Sequence, residues 1–413
     1  NQRYMDKIKS FMNKDLIKVI TGVRRSGKSY FLKLIIEELI KNGVSRENIL
    51  LMDLELPKYN HINSKEELDE IILNFISKHE NKVYLFFDEI QNVSRWEISV
   101  NSYFKLPNVE IYITGSNSKL LSGELATYLT GRYVSIEMYP FSFNEFLDFK
   151  EEINEKPIIK NELYSEIENY FEEYLIYGGF PISIAISNNK EIILNDLFSS
   201  IVLRDIIERH ELRNVGLFDR IMKFLISHIG SLISANSLYN YLKHENWGIG
   251  KATIYNYLKY LEDAYVLSKV SREDLIGKKE ISGSEKYYLI DQGFYFSQVD
   301  DKQKNIGRII ENIVYLELLR NDYKVTIGCV NNLEIDFIAK KNGKKIYIQV
   351  AYILDSIETI NREFKPLLMV KDNYPKYVLS MDKINQSRDG IENINVINFL
   401  RNSRDIKIGR AHV

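Results

Sequence analysis

Apolar residues gather into five short, nearly unbroken runs in the first 140 positions, at 16–21, 49–54, 83–87, 109–114 and 133–138. Between them the pattern mostly shifts to a helical period, plainest where Phe31, Leu32, Ile35, Ile36, Leu39 and Ile40 return to one side every three or four residues. Runs without polar alternates are strands buried on both faces. Their alternation with helices predicts an α/β domain over residues 1–150, a parallel sheet covered by helices. Ligands of such sheets lie beyond the carboxyl ends of the strands, so the residues just after each run carry the most information.

After residue 150 the pattern changes. Residues 150–173 turn acidic and helical, a solvated face rather than a metal site, and 151–205 read as a helical lid or linker. Tyr177-Gly178-Gly179-Phe180-Pro181 breaks the helix: two glycines permit positive φ, and Pro181 favours extended backbone before it. Helical patterns at 217–226, 237–243 and 253–261, followed by strands at 266–272 and 286–290, predict a winged helix-turn-helix over 206–290. Lys251, Tyr255, Asn256 and Lys259 would lie exposed on its third helix, with Lys278 and Lys279 in the following loop, where they could meet DNA phosphates. Glu245, Glu262, Asp263, Glu273 and Asp274 dilute that patch, so a packing module or nucleotide-state relay is an equal reading.

Residues 291–402 form the last predicted domain, before a tail at 403–413. A helix at 306–320 carries Glu311 and Glu317, and alternating strands at 333–339 and 345–351 flank Asn342-Gly343. Asn-Gly favours a two-residue type I′ turn. That turn sets Ala339 opposite Ile346 and, counting back, Asp336 opposite Gln349 on one sheet face.

Composition narrows the reading further. A chain of 413 residues is too long for a single core, which predicts two to three domains. With 55 basic and 57 acidic residues the net charge is −2, so nucleic-acid contact would need a local patch. The single cysteine, Cys329, excludes an internal disulfide and suits a reducing, cytoplasmic setting; no Cys/His cluster suggests zinc. No run approaches eighteen uninterrupted apolar residues and no charged-then-apolar leader precedes the first strand, so no membrane partner is expected. The wealth of Ile, Lys, Asn and Tyr is associated with AT-rich prokaryotic genomes. Asn1 stands where an initiator methionine would, and residues 408–413 read as a translated adapter, so native residues are expected to be missing at both ends.

The chemistry concentrates at the strand ends. Val19 to Ser29 runs from the first strand into a loop bracketed by Gly22 and Gly27 and then into a helix, the pattern of a phosphate cradle. Glycines let the chain wrap so that successive N–H groups, with the helix dipole behind them, face phosphate oxygens. Val23, Arg24, Arg25, Ser26 and Tyr30 complete the candidate ATP-binding loop. Lys28 is placed to reach the β- and γ-phosphates and Ser29 to hold Mg2+. The third run ends in Asp88-Glu89-Ile90-Gln91; Asp88 would orient the Mg2+ shell and Glu89 would activate the attacking water. Ser116 and Asn117 end the fourth run, either to touch the γ-phosphate or position water, or simply to cap the next segment. Arg24 and Arg25 serve equally as phosphate contacts or as surface ion pairs.

These segments, with Thr114-Gly115-Ser116, Gly131-Arg132, residues 140–146 and the Tyr-Gly-Gly-Phe-Pro turn, resemble prokaryotic AAA family ATPases with a C-terminal DUF4143 domain. The resemblance implies an AAA+ P-loop sheet of five parallel strands, with the strand ending at Ser116 between the cradle strand and the one bearing Asp88. It implies a role for Arg132 as γ-phosphate sensor or arginine finger, in its own subunit or a neighbour's, unless it merely pairs with an acidic residue. The last domain resembles the PD-(D/E)XK nuclease fold, whose metal site would map onto Glu311, Asp336 and Gln349, with Glu334 as a compensating carboxylate. Here Gln349 brings no charge and Ala351 cannot supply the motif's lysine, so the nuclease chemistry is expected to be eroded. The expected protein is an ATP- and Mg2+-binding ATPase coupling nucleotide state to a winged helix and a degenerate nuclease-like domain that bind DNA, a protein partner or another copy. The alternatives are an ATP-gated nuclease acting through Glu311 and Asp336, and a slow nucleotide switch or scaffold.

Overall fold

The apolar runs become β1 (Ile17–Thr21), β2 (Ile49–Asp53), β3 (Val83–Asp88), β4 (Val109–Gly115) and β5 (Tyr133–Glu137) in the computed structural model of the chain. It describes residues 2–121, 129, 131–154, 164–245, 247–248, 250–277, 279–299 and 305–403. Lys278, the side chain of Lys279 and the suspected adapter at 408–413 lie outside the described residues. Two units divide the chain, one of residues 1–139 with 263–265 and one of residues 140–262 with 266–413.

In the first unit the five strands are parallel, in the order β2-β3-β4-β1-β5. The central β1, β3 and β4 are buried at every position, which is why their sequences lack polar alternates. One face packs on α1 (Gln2–Lys9) and α2 (Lys28–Lys41), where Tyr4, Ile8, Phe31 and Ile35 meet Ile20, Phe86 and Tyr112. The other packs on α3 (Lys65–Ile76) and α4 (Trp96–Tyr103), where Leu68, Ile72, Trp96 and Val100 meet Val19, Phe87 and Ile113. β4 lies between β1 and β3, so the ends of all three open on the same edge.

The second unit begins with α5 (Phe143–Asn154), α6 (Tyr164–Tyr177), α7 (Pro181–Ala185) and α8 (Lys190–Ile201). The glycine turn before α7 is a clasp. Gly178 has φ +70°, and a Cβ there would come within 1.7 Å of Asp291 Oδ1; one on Gly179 would come within 2.1 Å of Phe141 O. Asp291 accepts the Gly179 N–H at 2.7 Å and the Gly293 N–H at 2.9 Å. Burial pushes its pKa up to about 6, against those two donors and the charge of Arg320.

Next come α9 (Val215–Ser227), β6 (Leu232–Ile233), α10 (Ala235–His244), α11 (Lys251–Asp263), β7 (Leu267–Asp274) and β8 (Lys279–Leu289). After α12 (Gly293–Gln298) the chain enters α13 (Ile306–Arg320), β9 (Lys324–Val330), β10 (Leu333–Lys341), β11 (Lys344–Val350), α14 (Ile357–Leu368), β12 (Lys376–Ser380), β13 (Glu392–Asn395) and α15 (Val396–Asn402). One sheet runs through all of it, in the order β13-β12-β11-β10-β9-β7-β8-β6. The expected domain boundary at 290 thus falls inside a continuous sheet, joined where β7 pairs with β9.

The β10–β11 hairpin has the register its turn predicts: Ala339 faces Ile346, with Asn342 and Gly343 both at positive φ. On the other side of β10 the register with β9 slips between Ile335 and Ile338, a bulge at Asp336 and Phe337. Gly328 lets β9 approach there, since a Cβ would sit 2.9 Å from that of Ile335.

Candidate functional site

At the end of β1 the chain turns through Gly22 at φ +141°, Arg25 at +67° and Gly27 at +101° before entering α2. A Cβ on Gly22 would meet Met138 O at 2.1 Å, so this position needs glycine for space as well as conformation. Lys28 is buried and folds back on the loop: its Nζ donates to the carbonyl oxygens of Gly22 and Val23, both at 3.1 Å, and lies 3.5 Å from Glu89 Oε1. Among the described residues the buried Ser26 Oγ has no hydrogen-bond partner, and it is a donor that an oxyanion in the loop would satisfy. Arg24 pairs with Glu55 at 2.7 Å, whereas Arg25 and Tyr30 are exposed.

Asp88 and Glu89 stand beside this loop. The Asp88 carboxylate takes hydrogen bonds from Thr114 Oγ1 and the Ser29 hydroxyl; burial raises its pKa despite them. Thr114 also accepts the Glu89 N–H at 2.9 Å, so one β4 hydroxyl braces both acidic residues. Glu89 sits at φ +53°, an uncommon conformation for a residue other than glycine, and its carboxylate is gripped by Gln91 Nε2. Burial alone would raise the pKa of Glu89, but Lys28, Gln91 and Ser116 together bring it below the ordinary value. It is therefore an ionised acceptor. Ser116 and Asn117 are buried at the tip of β4; Gln91 reaches Ser116 Oγ at 3.4 Å, and the Asn117 carbonyl accepts from Leu120 N–H, a turn contact.

Arg132 is not brought to this loop. It precedes β5, its carbonyl accepts the N–H of Ile17 at the start of β1, and its guanidinium donates to Asn101. The length of β1, about 15 Å at a strand's rise per residue, separates it from the cradle. Arg132 therefore lies at the opposite end of β1 from the cradle. Thr114 and Gln91 are the residues that sequence reasoning missed, although Gln91 closes the Asp88–Gln91 run.

The second unit holds another buried lysine among acids. Lys286 on β8 lies 2.8 Å from Glu311 Oε1 on α13, and 2.6 Å from Glu334 Oε1 and 3.5 Å from Asp336 Oδ1, both on β10. Tyr288 donates to the same Glu311 oxygen at 2.5 Å. Asp336 Oδ2 accepts the Val350 N–H at 2.8 Å; burial and the nearby Glu311 drive its pKa well up, with Lys286 opposing. The four predicted residues Glu311, Glu334, Asp336 and Gln349 thus fall into one neighbourhood. Gln349 Oε1 accepts the Asp336 N–H at 3.3 Å and its Nε2 donates to Glu363 at 3.0 Å. Lys286 went unrecognised, although a period of two puts it on one face of β8 with Tyr288. A cavity of about 590 Å3 borders the cluster, lined by Glu311, Asp336, Gln349, Arg308, Arg362 and Glu363 among others.

A family model described as AAA domain matches residues 14–147. The second family model that matches is not DUF4143, as the resemblance implied, but a domain of unknown function, DUF8612, over residues 168–304. An uncharacterized protein of Haemophilus influenzae is 37% identical over 401 residues, covering 97% of this chain and 98% of that protein. An uncharacterized protein of Methanocaldococcus jannaschii is 36% identical over 404 residues, covering 94% of this chain and 86% of that protein. Among solved structures, Cdc6p from Pyrobaculum aerophilum aligns with a TM-score of 0.28 at 10% identity, covering 76% of this chain and 93% of that one. Among the described residues no helix is long and apolar enough to cross a membrane.

Proposed function

This chain belongs to one family with those Haemophilus influenzae and Methanocaldococcus jannaschii proteins, built on an AAA domain, and on that footing we propose that it is an Mg2+-dependent ATPase. The observation that carries the reading is the convergence of Lys28, Ser29, Asp88 and Glu89 at one edge of the sheet, with Ser29 hydrogen-bonded to Asp88 and Lys28 3.5 Å from Glu89. The loop binds the phosphates through its N–H groups and the hydroxyl of Ser26. Lys28 gives up two neutral carbonyls for charged phosphate oxygens, which are stronger acceptors. Ser29 and Asp88 are the residues to hold Mg2+, which would neutralise charge developing on the phosphates. Glu89, ionised and oriented by Gln91, accepts the proton of the attacking water. Arg132, at the far end of β1 from the cradle, would contribute to hydrolysis in a neighbouring subunit rather than in its own.

Nucleotide state acts through the second unit. Residues 215–289 have the element order of a winged helix, and Lys251, Tyr255, Asn256 and Lys259 share the exposed face of α11, a surface for DNA phosphates or for a protein partner. The carboxylate cluster is a degenerate nuclease-like centre without cleavage of its own.

Steady-state phosphate release with Mg2+ and ATP, with and without duplex DNA, tests the reading beside Glu89→Gln. The variant should lose about 10²- to 10⁴-fold in rate, the worth of a positioned general base, while still binding ATP. Equal rates for the two proteins, or no ATP binding by either, would overturn it. Stimulation by DNA would favour the α11 face as a DNA surface; indifference would favour a protein partner.

A further inference from the structure

We propose that Lys286 is the resident cation of the carboxylate cluster in the second unit, so that its ammonium group fills the electrostatic role of a divalent metal and keeps such ions out. Three acidic side chains from two elements, Glu311 on α13 and Glu334 and Asp336 on β10, converge within 3.5 Å of one Nζ atom. Three carboxyl groups gathered so closely repel one another once ionised, and a cation at their centre offsets that repulsion. Elsewhere that cation is commonly a metal. Here the chain supplies it.

The surroundings fit a permanent occupant. Lys286 is 3% exposed, and Tyr288 adds a hydrogen bond to the Glu311 oxygen that faces the ammonium. The oxygens a metal would require are already engaged: Glu311 Oε1 by Lys286 and Tyr288, Asp336 Oδ2 by the Val350 N–H, and Gln349 Oε1 by the Asp336 N–H. A divalent ion ligated by the same carboxylates would lie within a few ångströms of the ammonium, with twice the repulsion of a like single charge. The two substitutions that erode the motif, Gln349 and Ala351, have the same sense: with a built-in monocation, a further carboxylate and a further lysine are both superfluous. The inference is independent of ATP hydrolysis and stands or falls separately from it.

Mn2+ binding to the full chain without nucleotide, followed by the electron paramagnetic resonance of the free ion, tests it. Wild type and Asp336→Asn should bind the same number of ions, because neither has a seat at the cluster. Lys286→Met should gain one ion per chain, at least tenfold tighter than any site of wild type, and its Tm should rise with Mn2+ where that of wild type does not. A site present in wild type and lost in Asp336→Asn would overturn the proposal, as would a folded Lys286→Met that gains none. If Lys286→Met does not fold, the comparison of wild type with Asp336→Asn decides alone, and Lys286→Met/Glu334→Gln, with one fewer repelling charge, provides the folded variant.

Discussion

Two lysines anchor the two units, and their side chains are equally buried: Lys28 and Lys286 each retain 3% exposure, each beside a glutamate that retains 8%. Burial therefore does not distinguish them; their partners do. Lys28 has two neutral carbonyls at 3.1 Å and one carboxylate at 3.5 Å, whereas Lys286 has carboxylates at 2.6 and 2.8 Å and a third at 3.5 Å. A charged phosphate oxygen outcompetes a carbonyl for an ammonium but has nothing to offer one already surrounded by acids. The first lysine is held ready for exchange, and the second is locked in place.

The sharpest way to break this comparison is to remove each ammonium in turn. Lys286→Met should cost about 3–5 kcal/mol in urea denaturation, because it strands buried carboxylates. Lys28→Met should shift the same curve by less, about 1–3 kcal/mol, while abolishing ATP binding, since it leaves one carboxylate rather than three and two carbonyls at the edge where ligand binds. Equal losses would show that both lysines are structural.

Asp291 is a buried charge of a third kind, held chiefly by backbone N–H groups. Its native pKa of about 6 lies above the ordinary 3.8, so the fold prefers the protonated form. That stabilisation is full below the ordinary value and is lost as pH rises through about 6, a change of about 3 kcal/mol. Asp291→Asn should flatten this part of the stability profile between pH 4 and pH 7 relative to wild type. The smallest expected effect is at Gln91. Gln91→Ala should slow hydrolysis about tenfold, the worth of one hydrogen bond to a charged group (~1.5 kcal/mol), and leave the ATP dissociation constant unchanged. A change in affinity instead would place Gln91 on the phosphates rather than on Glu89.

Much of the first unit was legible because its signals are local. Continuous apolar runs marked β1 to β5, and Gly22, Gly27, Lys28, Asp88 and Glu89 lie at strand ends that the parallel arrangement forces onto one edge. The same rule narrows the open reading of Arg132: a residue that precedes a parallel strand lies at the edge opposite the ligand. In the second unit the Asn342-Gly343 turn made the β10–β11 register readable, since turn chemistry is also local. β9 escaped notice because Gly328 interrupts a short mixed run, and that glycine is required by the approach of β10, which sequence does not display. Lys286 was invisible for a related reason. In the hydrogen-bonded order β7 and β9 separate β8 from β10, yet these two pair over only three positions, and the lysine reaches its partners on α13 and β10 by a tertiary route.

That short pairing also bears on how the chain can be inherited. Arg272, Glu273 and Asp274 stand opposite Ile327, Gly328 and Cys329, and these rungs join the three-helix segment to the carboxylate-bearing half. A gene cut at 290, where the sequence suggests a seam, would leave β7 with a bare edge and an invitation to pair with a stranger. Exchange of one half without the other is expected to fail, and of both together to succeed. A single sheet spans the stretch that the sequence reads as two modules, and its inheritance is expected to follow the sheet rather than the seam.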